Sequence, residues 1–156
     1  MTKSSHSVGS IAADIPPTVK VLGYGGLLPF VALATAVGLD VSHRSLWFDA
    51  LVGYGAVILS FVGALHWGFA MSQNDMTADQ RTRSFVWSVV PALMAWVALS
   101  MTPKYACALL VAGFLIHFWQ DKCLVKLVNL PTWYLPLRLQ LTFVASLSLL
   151  LALLFA

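Results

Sequence analysis

Five long apolar runs, at about residues 20–38, 50–71, 84–101, 105–120 and 138–156, leave this chain few ways to fold. Hydrocarbon about 30 Å thick takes roughly 20 consecutive apolar residues in helical form. Inside it every backbone amide must be satisfied by the protein itself, which helices achieve within one segment and closed barrels between neighbouring strands. The runs are continuously apolar rather than alternating, so helices are expected. The predicted fold is all-α, an integral membrane bundle of five transmembrane helices over residues 20–156, behind a flexible polar tail at 1–19 that carries Pro16-Pro17. Composition agrees: 60% of residues are hydrophobic, 10% are charged, and Glu is absent. The tail lacks both the short apolar core of a cleaved signal and the Arg-rich face of a mitochondrial transit peptide.

Basic residues set the expected threading. Lys3, Lys20, Arg81, Arg83, Lys122, Lys126 and Arg138 fall on one side of such a bundle, Arg44 and Lys104 on the other. The positive-inside rule then puts the N-terminus in the cytoplasm and the C-terminus outside. A net charge of +3 could suggest nucleic acid, but these cations are scattered between spans and serve topology instead. The expected partners are the lipid bilayer and other membrane subunits or a second copy of the chain. Cys107 and Cys123 sit near opposite ends of one span, ~24 Å apart by helix rise, too far for a disulfide.

The second span is the most informative. Gly53, Ala56, Ser60 and Gly63 form a small-residue stripe of the kind that lets helices approach closely, and His66 follows inside the same apolar run. A histidine at that depth costs free energy unless it has a partner, so it marks a functional-site hypothesis; a plain hydrogen bond to a neighbouring carbonyl is the simpler alternative. Antiparallel threading brings His117 to the same level, roughly 6 to 8 Å below the inner interface at ~1.5 Å per residue. Asp121 lies one turn beyond His117, where its carboxylate can orient the ring, although the fourth span is expected to stop at Gln120 with Asp121-Lys122 at the interface. Arg138 opens the fifth span, and Arg83 edges the layer. The candidate ligand-binding set is therefore His66, His117, Asp121, Arg138 and Arg83, ringed by Trp67, Trp119 and Tyr134. An interfacial anchor is the alternative for His117 and Asp121. The last span is Leu-rich and is expected to face lipid or a partner helix.

Pro29 and Pro91 read as kinks, and Trp133-Tyr134 as part of an aromatic belt. Leu22-Gly-Tyr-Gly-Gly resembles Val52-Gly-Tyr-Gly-Ala on a span of opposite direction. Inverted repeats build many transporters, but this match is short and five spans do not halve.

Several motifs in order resemble a known family. They are Leu22-Gly23-Tyr24-Gly25-Gly26-Leu27-Leu28-Pro29-Phe30, Tyr54-Gly55-Ala56-Val57-Ile58-Leu59-Ser60-Phe61, Gly63-Ala64-Leu65-His66-Trp67-Gly68, Trp87-Ser88-Val89-Val90-Pro91 and Trp133-Tyr134-Leu135-Pro136-Leu137-Arg138. Together they resemble the uncharacterised bacterial and mitochondrial membrane-protein family that includes transmembrane protein 69. The resemblance implies a multi-span domain in a bacterial cytoplasmic (inner) membrane and brings no assigned chemistry.

P-loop, GxGxxG and GxSxG motifs are absent from the sequence, and no catalytic residue or metal site is assigned. Three function classes stand. The first is a non-catalytic accessory or assembly subunit of a membrane complex. The second is a binding protein for a quinone or anionic lipid at the His/Asp/Arg layer. The third is a b-type cytochrome with His66 and His117 as axial haem ligands, against which stand the bulky neighbours Phe114, Phe118 and Trp119.

Overall fold

The computed structural model describes residues 14–74 and 76–155. Six α-helices follow in order: α1 (Pro17–Gly25), α2 (Leu28–Leu39), α3 (Arg44–Ser72), α4 (Ala78–Leu99), α5 (Pro103–Leu124) and α6 (Tyr134–Ala152). α1 and α2 together make one broken span, so five helical units are long and apolar enough to cross a membrane. The expected tail at 1–19 lies mostly outside the described residues, and Pro17–Val19 already belong to α1.

Local chemistry explains the boundaries. Pro29 brings no N–H to the helix, and the chain breaks between Gly25 and Leu28. The Gly26 carbonyl at that break accepts a 2.8 Å hydrogen bond from Tyr54 Oη on α3. Thr77 starts α4 with a reciprocal capping box: its hydroxyl takes the Gln80 amide at 3.3 Å, and the Gln80 side chain takes the Thr77 amide at 3.0 Å. At the C-terminal end of α3, the Arg81 guanidinium donates to the carbonyls of Ala70 (2.6 Å) and Gln73 (2.9 Å). Pro103 sits in the first turn of α5, where its missing amide hydrogen costs nothing. α3 and α4 begin before their apolar runs because polar first turns can stand outside hydrocarbon and remain helical.

Each unit packs on the next in up-and-down order, and α6 returns to α2 to close the ring while α3 also reaches α5 and α6. The buried faces follow a spacing of alternating three and four residues. On α5 the seam is Cys107, Leu110, Phe114, His117, Asp121 and Leu124; on α6 it is Arg138, Thr142, Ala145, Leu149 and Ala152; on α4 it is Ser84, Ser88, Pro91, Ala95 and Ala98. That is the knobs-into-holes period of antiparallel bundles. Gly63 brings α3 and α4 close, since a Cβ there would lie 2.9 Å from the Pro91 ring. Gly53, from the same stripe, has no such neighbour within 4 Å among the described residues, so the two glycines of the stripe differ in what they pack against.

Polarity is arranged inside out. Phe61, Trp96, Trp119 and Phe143 are exposed, whereas His66, His117, Asp121, Arg138 and Thr142 are buried. Lipid tails are as apolar as Leu, so hydrophobicity cannot hold such helices together, and packing and polar contacts must do it. α6 packs on α2, α3 and α5 and carries Arg138, Thr142, Ser146 and Ser148 inward, while Leu139, Phe143 and Leu151 stay exposed on its outer face.

Candidate functional site

Asp121 organises the site. The sequence reading stops the fourth span at Gln120, but α5 continues to Leu124 and holds the Asp121 side chain with no exposure to the surface. Its Oδ2 accepts a 2.7 Å charge-assisted hydrogen bond from Arg138 Nε on α6. Its Oδ1 accepts from His66 Nε2 on α3 at 3.1 Å and from the Tyr134 hydroxyl on α6 at 3.0 Å. Three of about four acceptor positions of a carboxylate are thereby filled by side chains from two other helices.

His117 completes the cluster in an unexpected way. Its Nε2 lies 3.8 Å from Asp121 Oδ1, beyond hydrogen-bond range, so Asp121 does not orient this ring as the one-turn spacing suggests. The partner is Trp87 on α4, whose indole N–H donates to His117 Nδ1 at 3.2 Å. An indole nitrogen can only donate, so Nδ1 carries the lone pair and the ring proton sits on Nε2, facing the carboxylate. The His66 and His117 rings meet edge to face with centroids 5.0 Å apart. α3, α4, α5 and α6 are tied at one level by this network.

His66, His117, Asp121 and Arg138 are thus brought together, and Arg83 stands at their edge, outside the hydrogen-bonded network. Arg83 is exposed and lines a separate cleft of about 320 Å3 with Gln80, Ser84, Gln120 and one edge of His66. Trp67 and Trp119, expected around the layer, are 48% and 66% exposed. Each follows an inward histidine or precedes an inward segment, and ~100° of helical rotation per residue turns it outward. Tyr134, expected both in a boundary belt and around the layer, is buried at the layer with its hydroxyl on the carboxylate. Trp87, Thr142 and Ser146 are not singled out as site residues from the sequence, although Thr142 lies on the three-four seam of α6, which is a legible signal.

Donor atoms of His66, His117 and Asp121 lie within 4.8 Å of one another, the spacing of a metal site. The chemistry of the set does not fit a cation. Arg138 already places a positive charge on the same carboxylate, and His117 would need its proton on Nδ1, against the Trp87 N–H, before Nε2 could ligate. Haem fits no better. Both imidazoles converge on one carboxylate and touch each other, leaving no slot for a macrocycle between them.

At the opposite end of the bundle, Asp40 caps the start of the next element. It accepts from the His43 amide at 3.2 Å and from Trp47 Nε1 at 3.0 Å. The Trp47 hydrogen bond, with lesser help from His43, holds its carboxyl below the ordinary value. Arg44 donates to the carbonyls of Val37 (3.1 Å) and Phe155 (3.2 Å), fastening α2 and the C-terminal turn to α3.

A ring of spanning helices with an apolar exterior and a buried ionic clasp defines a multi-pass membrane protein. The chain belongs to the family described as "Protein of unknown function (DUF3429)", which matches residues 15–154. It is 37% identical to transmembrane protein 69 of Xenopus tropicalis over 138 residues, 87% of this chain and 53% of that protein. It is 27% identical to transmembrane protein 69 of Mus musculus over 137 residues, 86% of this chain and 55% of that protein. The chain therefore spans about half the length of these relatives. No solved structure matches it.

Proposed function

We propose that this protein is a small, non-catalytic accessory or assembly subunit of a complex in the bacterial cytoplasmic membrane, threaded with its N-terminus inside and its C-terminus outside. The observation that carries the reading is the commitment of Asp121. Its oxygens are occupied by His66, Tyr134 and Arg138, so the one buried carboxylate among the described residues acts as a clasp between helices and offers no free base or nucleophile. The excess of Lys and Arg on one side supports the threading. Beside the clasp, the broad apolar exterior, including Val57, Phe61 and Trp96, gives other membrane helices a surface to pack on.

Gentle extraction from the native membrane, followed by native mass spectrometry and a reduced-minus-oxidised visible spectrum, tests this reading. A defined heteromeric assembly of fixed stoichiometry, recovered again when the partner subunit carries the tag, is the expected result. A chain that remains alone in mild detergent and in nanodiscs overturns it, as does a haem band lost in His66→Ala. A second reading, a binding protein for a quinone or anionic lipid, is favoured by one observation: Arg138 Nη2 and Thr142 Oγ1 are buried with no hydrogen-bond partner among the described residues.

A further inference from the structure

A pocket of about 130 Å3 opens between the α1–α2 break, α3 and α6 and reaches the clasp at Arg138. Its walls are almost wholly apolar: Gly23, Phe30 and Leu141 contribute to them, and Leu22 and Phe61 stand at its edge on the exposed face of the bundle. Only Arg138 and Thr142 bring side-chain donors to the lining. Both are more than nine-tenths buried, and both carry an unpartnered atom, Arg138 Nη2 and Thr142 Oγ1. They lie one helical turn apart on the same face of α6.

Buried donors without acceptors are costly, and more so where no water is at hand. Here the two residues that carry them line one otherwise apolar pocket, the usual composition of a small-molecule site. Charge narrows the ligand. Asp121 already neutralises Arg138 through the 2.7 Å contact at Nε, so an anion at Nη2 would bring a buried charge with no counter-ion. A neutral acceptor satisfies both donors and adds no charge. Size narrows it further, because a cavity of about 150 Å3 holds a single benzene-sized ring.

We infer that this pocket binds the carbonyl end of a neutral, apolar membrane molecule, with Arg138 Nη2 and Thr142 Oγ1 donating to the carbonyl oxygen and the apolar remainder leaving past Leu22 and Phe61 into the bilayer. The carbonyl belongs either to a quinone ring or to the ester of a neutral lipid. The inference rests on the ligand-binding reading and specifies its site and charge: the acceptor is neutral, and the cleft at Arg83 takes no part. Gly23 faces the same space. A Cβ there meets only the Leu137 and Leu141 side chains, at 3.7 to 3.9 Å, so a larger residue would fill the pocket rather than distort the backbone.

The test uses the full chain, delipidated and reconstituted in nanodiscs, titrated separately with decylubiquinone and with dioleoylglycerol, with bound ligand read by native mass spectrometry. Expected is saturable one-to-one binding of one probe, weakened about tenfold in Thr142→Val, as for loss of one hydrogen bond, and abolished in Gly23→Leu. Thr142→Val should meanwhile melt at the same temperature as the parent or higher, since it removes an orphaned hydroxyl; a merely structural Thr142 would give lower stability and unchanged binding. Saturable binding indifferent to both substitutions overturns the pocket and leaves the ligand reading standing. Binding of neither probe, with water alone in the pocket, overturns both. Binding of cardiolipin in preference to either probe overturns the neutral-carbonyl assignment.

Discussion

The two ends of this bundle put nearly the same residue types to different uses. One end groups Asp40, His43, Trp47 and Arg44, with the carboxylate contacted by His43 and Trp47; the other groups Asp121, His66, His117, Trp87 and Arg138, with the carboxylate contacted by His66 and Arg138 and with Trp87 on His117. At the first, every partner of Asp40 lies within seven residues of it, and the Asp40 and His43 side chains are 38% and 65% exposed. At the second, His66 and Arg138 are 55 and 17 residues from Asp121, and the Asp121 side chain is wholly buried. Local contacts in water cap a helix and contribute little. Distant contacts away from water fix which helices are neighbours and at what rotation, and they are costly to break because the surviving partner is left charged and unpaired.

Replacing the carboxylate should therefore give the largest difference between the ends. Asp121→Ala leaves Arg138 and His66 without their shared acceptor and should cost roughly 3–5 kcal/mol. Thermal unfolding in a fixed detergent should show a large drop for it, and only a slight one for Asp40→Ala. Equal drops would remove the distinction between clasp and cap. His66→Ala deletes one hydrogen bond to a charged group, worth about 1.5–3 kcal/mol, and should exceed Arg44→Ala in the same assay. Arg44 is no inert control, since it holds the Val37 and Phe155 carbonyls. Its loss should loosen the C-terminal turn while the clasp survives.

Much of this arrangement is legible in the amino-acid sequence, and what is not has physical causes. Five apolar runs and a histidine inside one of them are enough for the bundle and for the level at which His66, His117, Asp121 and Arg138 meet. Polarity alone cuts the fourth helix at Gln120, because Asp121-Lys122 looks like an interface. Yet Asp121 continues the three-four spacing of Leu110, Phe114 and His117, and that phase, rather than polarity, reports which side faces inward. The pairing itself is out of reach of the sequence. Whether Asp121 serves His117 one turn away or His66 on another helix depends on how α3 and α5 are rotated against each other, a tertiary property. Trp87 is hidden for the same reason: nothing in its own segment says that an imidazole lies opposite.

Packing offers a sharper contrast within one stripe. Gly63→Ala places a Cβ 2.9 Å from Pro91 and 3.1 Å from the Ser88 carbonyl oxygen. It should push α3 and α4 apart at a cost of about 1–3 kcal/mol. Gly53→Ala meets nothing within 4 Å among the described residues and should gain up to about 1 kcal/mol from helix propensity. Opposite shifts in melting temperature are expected, and a shared sign would mean that the stripe packs as one surface.

The smallest effect belongs to Asp40, and its sign is fixed. Hydrogen bonding from Trp47 and His43 lowers its folded value below the ordinary 3.8, so the charged form is favoured on folding. Its contribution is complete above about pH 4 and fades as the pH falls through the lower folded value. The melting-temperature difference between the parent and Asp40→Asn should stay constant from pH 7 to pH 5 and then shrink on further acidification. Both proteins carry His43→Ala, because the His43 ring contacts this carboxylate at 3.1 Å and would not cancel; groups that do not touch Asp40 do cancel in the comparison. A difference that instead grows on acidification would mean that the Trp47 contact favours the protonated carboxyl, and the cap would then hold its helix by hydrogen bonding alone.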